Sequence, residues 1–128
     1  MASFGKASTR RLVTCTPELQ EVLNEAIKHF DFSIIWGHRG KFHQNRVFDE
    51  GYSKVQWPNS RHNSLPSEAV DIVPYPGGFK NKDKTFTEMA TYMLSAASKC
   101  GVPLFWGGHW RSFKDLAHFQ IIRGKTNV

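Results

Sequence analysis

The segment SRHNSLPSEAVDIVPYP, from Ser60 to Pro76, joins a polar loop to an apolar run that contains one aspartate. The run, residues 69–73, reads Ala-Val-Asp-Ile-Val and has the composition of a buried strand. Burying the carboxylate of Asp71 in such a strand is costly unless a partner compensates its charge. His62, in the preceding loop, is one candidate partner. The segment therefore predicts a strand that carries a polar site.

Strands and helices alternate unevenly on both sides of this segment. Two stretches, TPELQEVLNEAIKHF (16–30) and TFTEMATYMLSAASKCG (85–101), have apolar residues at helical spacing. Their termini suit helices, with Thr16 as a cap, Thr85 and Glu88 at capping-box spacing, and Gly101 at the C-terminal end. We predict a shorter helix over KFHQNRVFDEG (41–51) and strands over FSIIWG (32–37), AVDIVPY (69–75), PLFWGG (103–108) and AHFQII (117–122). This order predicts an α+β fold with a mostly antiparallel sheet flanked by helices.

Length and composition indicate one domain. The chain has 128 residues, of which 40% are hydrophobic, so we expect a single domain over residues 1–128 with short flexible ends at 1–10 and 123–128. The apolar runs are shorter than the ~20 residues that span a bilayer, and the first residues lack the apolar region of a Sec signal peptide. We therefore expect neither stable membrane insertion nor Sec export. The redox state of Cys15 and Cys100 is left open.

The formal net charge of +6 favours partners that are polyanions. Nucleic acid, an anionic membrane and the polymers of the bacterial envelope all qualify. The basic residues are scattered and form no long basic helix, which argues against nucleic acid. We expect no nucleic-acid partner.

Alternation along two strands brings candidate metal ligands together. Asp71 and Val73 share one face of their strand, opposite Val70 and Ile72, and His118 and Gln120 share one face of the last strand. Asp71 and His118 can therefore meet on one sheet face, with His62 arriving from the loop. Two imidazoles and one carboxylate form a three-ligand zinc site that leaves a position for water. Asp115 would remain available as a base, and a metal-free Asp–His hydrogen bond is the alternative.

Three motifs occur in a specific order: Ser60-x-His62, Ala69-Val70-Asp71 and Asp115-x-x-His118-Phe119. Together they resemble the zinc peptidases of the D-alanyl-D-alanine carboxypeptidase and L-alanyl-D-glutamate endopeptidase group, which share a fold with the hedgehog signalling domain. Residues 37–63 are similar to the stretch before the first metal ligand of that group, and residues 105–121 to its closing motif. The resemblance covers about Ile34 to Ile122, and the small size is similar to that of phage endolysins.

The resemblance implies a role for each matching residue. His62, Asp71 and His118 would be the zinc ligands, and Asp115 the general base and acid. Arg39 would stabilise the oxyanion or hold a substrate carbonyl, with a structural salt bridge as the alternative. We expect three further residues to bind substrate: Gln44, Ser60 and His109. Ser60 could instead cap a turn. Because the spacer between His62 and Asp71 is longer than the common pattern, we predict that residues 63–68 bulge.

The function implied by the resemblance is zinc-dependent hydrolysis of peptidoglycan stem peptides, at the L-alanyl–D-glutamate bond. A D-alanyl-D-alanine carboxypeptidase and a non-catalytic zinc module that binds the cell wall are the alternatives. We further expect a monomer that is made in the host cytoplasm and reaches the wall after holin-type release.

Overall fold

The computed structural model describes residues 2–123, which form four helices, four strands and three short 3₁₀ turns. The helices are α1 (Lys6–Leu12), α2 (Pro17–Ala26), α3 (Lys41–Asp49) and α4 (Asp83–Cys100). The strands are β1 (Phe32–Trp36), β2 (Ala69–Pro74), β3 (Leu104–Trp106) and β4 (His118–Ile121). The 3₁₀ turns cover Arg61–Asn63, Gly78–Lys80 and Gly107–His109. The predicted α+β class is confirmed.

The strands form one sheet in the order β1-β2-β4-β3, and every pairing is antiparallel. β2 and β4 are the central strands, and their register places Asp71 directly opposite His118. Directly opposed residues project their side chains to the same face of an antiparallel pair. The two central strands therefore bring a carboxylate and an imidazole together from positions 47 residues apart.

The core lies between one face of the sheet and the long helices. Val70 and Ile72 of β2 and Phe119 of β4 are fully buried against it. The helices contribute the apolar stripes expected from the sequence: Leu19, Val22, Leu23, Ala26, Met89, Met93, Ala96 and Ala97. Val70, Ile72 and Phe119 thus occupy one face of the central strands, and Asp71, His118 and Gln120 lie on the other face.

The N-terminal segment differs from the flexible end that we expected, because residues 6–12 form α1. Side chains of this helix form hydrogen bonds with backbone groups at the outer edge of β1. The Ile34 N–H donates to Ser8 Oγ at 3.0 Å, and the Ile34 carbonyl accepts from Arg11 at 2.8 Å. A seven-residue helix is marginal by itself, so its tertiary contacts stabilise it. Of the predicted C-terminal tail, residues 124–128 lie outside the described residues.

The predicted helix ends are confirmed in part. Thr16 Oγ1 accepts from the Leu19 N–H at 3.3 Å, and Gly101 ends α4 in the left-handed conformation at a φ of 71°. The capping box at Thr85 is wrong, since α4 already begins at Asp83, whose carboxylate suits the positive end of the helix dipole. None of the helices found between residues 2 and 123 has the length and hydrophobicity to cross a bilayer.

Candidate active site

A buried cluster of two histidines and one aspartate lies on the polar face of the sheet. Asp71 Oδ1 is 3.1 Å from His62 Nε2 and 3.1 Å from His118 Nδ1. Both imidazoles are buried, with 2% of His62 and 7% of His118 exposed. The structure therefore brings together the three residues that we expected to bind metal.

Each imidazole has an inner nitrogen that faces Asp71 and an outer nitrogen that points away from it. Neighbouring groups fix the protonation of the outer nitrogen. His62 Nδ1 is 2.8 Å from the Gly37 carbonyl, which can only accept, so this nitrogen carries the proton. His118 Nε2 is 2.8 Å from Gln120 Oε1, which likewise accepts. In the neutral imidazoles, both inner nitrogens then direct lone pairs toward Asp71 Oδ1. Such an arrangement requires positive charge between the three groups, supplied by protons or by a metal cation.

The donor set fits a divalent transition metal. One ligand atom from each of His62, Asp71 and His118 can be chosen so that all lie within 4.8 Å of one another. Two histidines and a carboxylate are a common ligand set of catalytic zinc sites. Outer hydrogen bonds that fix the imidazole orientation, here to Gly37 and Gln120, are also typical of such sites. The cluster can therefore hold a metal ion.

The loop that carries His62 has the bulge predicted from its length. Ser60 caps the 3₁₀ turn by accepting from the His62 N–H at 3.2 Å, which corresponds to the capping alternative for this residue. Residues 64–66 are exposed, and the chain returns at Ser67, which is buried and pairs with Cys15. The loop thus folds outward while His62 points into the site.

Arg39 forms a buried salt bridge with the central aspartate. Its Nη2 donates to Asp71 Oδ2 at 3.0 Å, and only 6% of the residue is exposed. Burial opposes ionisation of Asp71, yet the adjacent His62 and His118 outweigh it and hold the pKa of that carboxyl well below its usual value. This geometry is the salt bridge that we considered as the alternative role of Arg39. Its contact with an oxyanion stays a prediction.

Gln44 is a buried structural residue, which corrects its assignment to substrate binding. Its side chain is 0% exposed and cannot reach a ligand in the cleft. Gln44 Oε1 accepts from Arg39 at 3.0 Å and from Asn63 at 3.2 Å, while its Nε2 donates to the Val55 carbonyl at 2.8 Å. Gln44 therefore links Arg39 to the two loops beside the site. A lone glutamine in a mostly polar helix gave no signal of this burial.

The connection between β3 and β4 places Asp115 beside the cluster. The Gly107 carbonyl accepts from the Asp115 N–H at 3.2 Å, and Asp115 Oδ1 accepts from the Ala117 N–H at 3.2 Å. Asp115 Oδ2 makes no hydrogen bond with any residue from 2 to 123. Burial, followed by the charge of Asp71, raises the pKa of Asp115 above its usual value. Asp115 is thus a carboxylate with one oxygen free to exchange a proton in the cleft.

Close packing holds this connection against β4, the strand that carries His118. A Cβ at Gly107 would lie 2.5 Å from the Asp115 carbonyl oxygen and 3.1 Å from His118 Cβ, so only glycine fits there. The ring of Trp110 stacks on His118 with centroids 5.1 Å apart, and thereby restricts the imidazole on its open side. Trp110 thus helps to position His118, a candidate metal ligand.

The cluster opens into a cavity of about 660 Å³ between two loops. One loop follows α3 and the other joins β3 to β4. The cavity wall includes His62, Asp71, Asp115 and His118, together with the sequence-predicted Arg39, Ser60 and His109. Its further polar lining residues include Lys54, Arg61, Arg111 and Ser112, which sequence reasoning did not assign. Their loops lack periodicity, so no sequence signal could have placed them there.

Comparison with known proteins identifies relatives of this chain. The chain is 30% identical over 125 residues to the L-alanyl-D-glutamate peptidase of Escherichia phage T5, covering 94% of this chain and 90% of that protein. Its fold matches the crystal structure of the Serratia marcescens L-Ala D-Glu endopeptidase ChiX with a TM-score of 0.79 and 31% sequence identity. That match covers 93% of this chain and 89% of the ChiX chain.

These likenesses define the class of protein first: the chain is a peptidase. More particularly, it belongs to the phage L-alanyl-D-glutamate peptidase family, whose model matches residues 1–125. The suspected relationship is confirmed, and peptidoglycan is the substrate that fits a peptidase of this family.

Proposed function

We propose that this protein is a zinc-dependent endopeptidase that hydrolyses the bond between L-alanine and D-glutamate in peptidoglycan stem peptides. The observation that carries the proposal is the meeting of His62 Nε2 and His118 Nδ1 at one oxygen of Asp71, each at 3.1 Å. The outer nitrogens are already engaged, so the inner nitrogens are available to a cation. The names of the phage T5 and Serratia relatives support the choice of bond.

His62, Asp71 and His118 would hold the zinc ion. When bound, zinc supplies a Lewis acid that polarises the scissile carbonyl and lowers the pKa of a bound water to about 7. Arg39 keeps Asp71 ionised and oriented through its contact at 3.0 Å with Oδ2, which leaves Oδ1 for the metal. Gly37 and Gln120 orient the two imidazoles through their outer nitrogens.

Asp115 would move the proton. Its carboxylate accepts a proton from the attacking water as the oxygen bonds to the carbonyl carbon of L-alanine. The same proton then passes to the nitrogen of D-glutamate as the C–N bond breaks. The products are a peptide ending in the carboxylate of L-alanine and a peptide beginning with the amine of D-glutamate. Arg39, at the cavity wall, would also offset negative charge on the carbonyl oxygen.

Product analysis on defined peptidoglycan fragments tests this function. We expect mass spectrometry to detect cleavage between L-alanine and D-glutamate, loss of cleavage in excess chelator, and recovery on adding zinc. The variant Asp115→Asn should retain zinc but lose at least about 100-fold in kcat, which is the usual minimum contribution of a general acid or base. Release of free D-alanine instead would favour a carboxypeptidase. Zinc binding without any cleavage by the wild type would favour a non-catalytic module.

We further propose that the enzyme acts as a monomer and reaches the cell wall through a holin-type membrane lesion. Expression in a Gram-negative host with and without a holin tests the route, since lysis should require the holin. Sedimentation at working concentration tests the monomer, and a dimer mass would contradict it.

A further inference from the structure

The cavity carries more positive charge than its chemistry uses. Four of its lining residues are arginine or lysine, namely Arg39, Lys54, Arg61 and Arg111, whereas its carboxylates are Asp71 and Asp115. Both carboxylates already have roles in metal binding and proton transfer. The surplus of cations therefore suits a ligand that brings its own negative charge.

Two of the four cations are already neutralised. Arg39 pairs with Asp71 at 3.0 Å, and Arg61 pairs with Glu68 at 3.3 Å. Glu68 lies outside the cavity lining, so this pair directs the Arg61 charge away from the site. The charges of Arg39 and Arg61 are therefore already compensated by carboxylates within the protein.

Lys54 and Arg111 have no carboxylate partner among residues 2–123. Lys54 Nζ contacts Ser112 Oγ at 3.4 Å and lies 5.4 Å from the ring centroid of Phe113. These contacts join the loop after α3 to the loop between β3 and β4, and the second loop also carries Arg111, which lines the same cavity. Two cations without a carboxylate partner thus line the cavity, one from each of these two loops.

The scissile bond specifies where a substrate carries negative charge. Glutamate has two carboxyl groups, and a peptide chain that continues from it uses only one of them. The other remains free on the residue whose nitrogen is released. A D-glutamate bound for cleavage therefore presents a carboxylate within a few bonds of the reacting atoms.

We propose that Lys54 and Arg111 bind this free carboxylate of D-glutamate and select against substrates in which it is an amide. The inference rests on the proposed function. A second cavity of about 320 Å³ shares Arg39, Asp71 and Asp115 with the first, and its lining adds Lys114 and the apolar side chains of Ile35, Val47 and Phe79.

Two synthetic peptides that differ at this one group test the inference. The first carries L-alanyl-D-glutamate with the free carboxylate, and the second carries its primary amide. The wild type, Lys54→Gln, Arg111→Gln and the double variant are assayed on both. Lys84→Gln, an exposed lysine outside both cavities, controls for the loss of one positive charge. Lys54→Arg tests whether charge alone restores activity.

We expect the wild type to prefer the carboxylate peptide by about tenfold or more in kcat/KM, as for a charge-assisted hydrogen bond. The double variant should reduce this preference to less than about threefold, chiefly through KM, because the contact exists before the transition state. Lys84→Gln should keep the wild-type preference. Equal cleavage of both peptides by the wild type, or an unchanged preference in the double variant, overturns the inference while leaving the proposed function intact. Cleavage of neither peptide overturns the proposed function, and this inference with it.

Discussion

Asp71 and His118 face each other on adjacent antiparallel strands, with Oδ1 of the aspartate 3.1 Å from Nδ1 of the histidine. Strand pairing alone therefore assembles two of the three candidate metal ligands. His62 depends instead on a loop, and its position is held by the Gly37 carbonyl at 2.8 Å. Asp71 and His118 are thus positioned by the sheet, whereas the position of His62 relies on contacts of its loop.

Arg39→Gln tests whether Arg39 supports the metal site or contacts the oxyanion. Because Arg39 holds Asp71 Oδ2 at 3.0 Å, we expect its loss to weaken zinc affinity roughly 10–100-fold, the usual effect of losing an outer-shell partner. Competition with a zinc-chelating dye measures the affinity. The control is Arg46→Gln, which removes an exposed pair with Glu50 and should change little. A fall in kcat with unchanged zinc affinity would instead support the oxyanion role alone.

Gln44→Ala tests the buried link between α3 and the loops. The change removes the buried acceptor of Arg39 Nη1 and one of the hydrogen bonds made by the Val55 carbonyl and by the Asn63 amide. We expect the free energy of unfolding to fall by about 2–4 kcal/mol. Urea denaturation of the metal-free protein measures it, with the exposed Gln56→Ala as the control. A loss below about 0.5 kcal/mol, the usual range for surface substitutions, would show that Gln44 is not such a link.

Gly37→Ala tests the close contact that positions His62. A Cβ at this position would lie 2.5 Å from the Arg11 carbonyl oxygen and would also collide with Thr14 Oγ1. The strand end must then shift, which we expect to cost about 1–3 kcal/mol of stability and to lower zinc affinity. Gly40→Ala is the matched control, since nothing lies within 4 Å of a Cβ there. Thermal unfolding and zinc titration should separate the two variants, and identical behaviour would refute the positioning role of Gly37.

The two thiols should differ in reactivity. Burial raises the pKa of Cys15 to about 12, and only 1% of this residue is exposed, whereas Cys100 is partly exposed. Because the thiolate is the nucleophile, we expect iodoacetamide to alkylate Cys100 in the folded protein and Cys15 only after unfolding. Peptide mass spectrometry locates the label, and denatured protein provides the control. Equal labelling of both cysteines in the folded protein would contradict the packing of α1 and α2 around Cys15.

The sequence predicted those parts of the site that follow from periodicity. Alternation along β2 and β4 placed Asp71 and His118 on one face, because side-chain direction in a strand is fixed by the backbone. It did not predict α1, since Lys6–Leu12 is short and its stability comes from contacts with the edge of β1. The burial of Gln44 was equally hidden, because its partners come from distant backbone and side-chain groups.

Loop positions were beyond sequence reasoning for the same physical reason. Lys54 and Arg111 meet one cavity only because two irregular loops fold over it, and a loop path has no period from which to read direction. The resemblance agreed with the candidate metal ligands that alternation had indicated, but it carried no assignment for either cation. They were identified from the excess of arginine and lysine over carboxylate side chains in the lining of the folded cavity.

The most direct test of the metal centre is an anomalous difference map recorded at the zinc absorption edge from crystals grown with zinc. The proposed centre predicts one strong peak among His62 Nε2, Asp71 Oδ1 and His118 Nδ1, retained in Asp115→Asn and lost in Asp71→Asn. A map without a peak at this cluster in the wild type would contradict it.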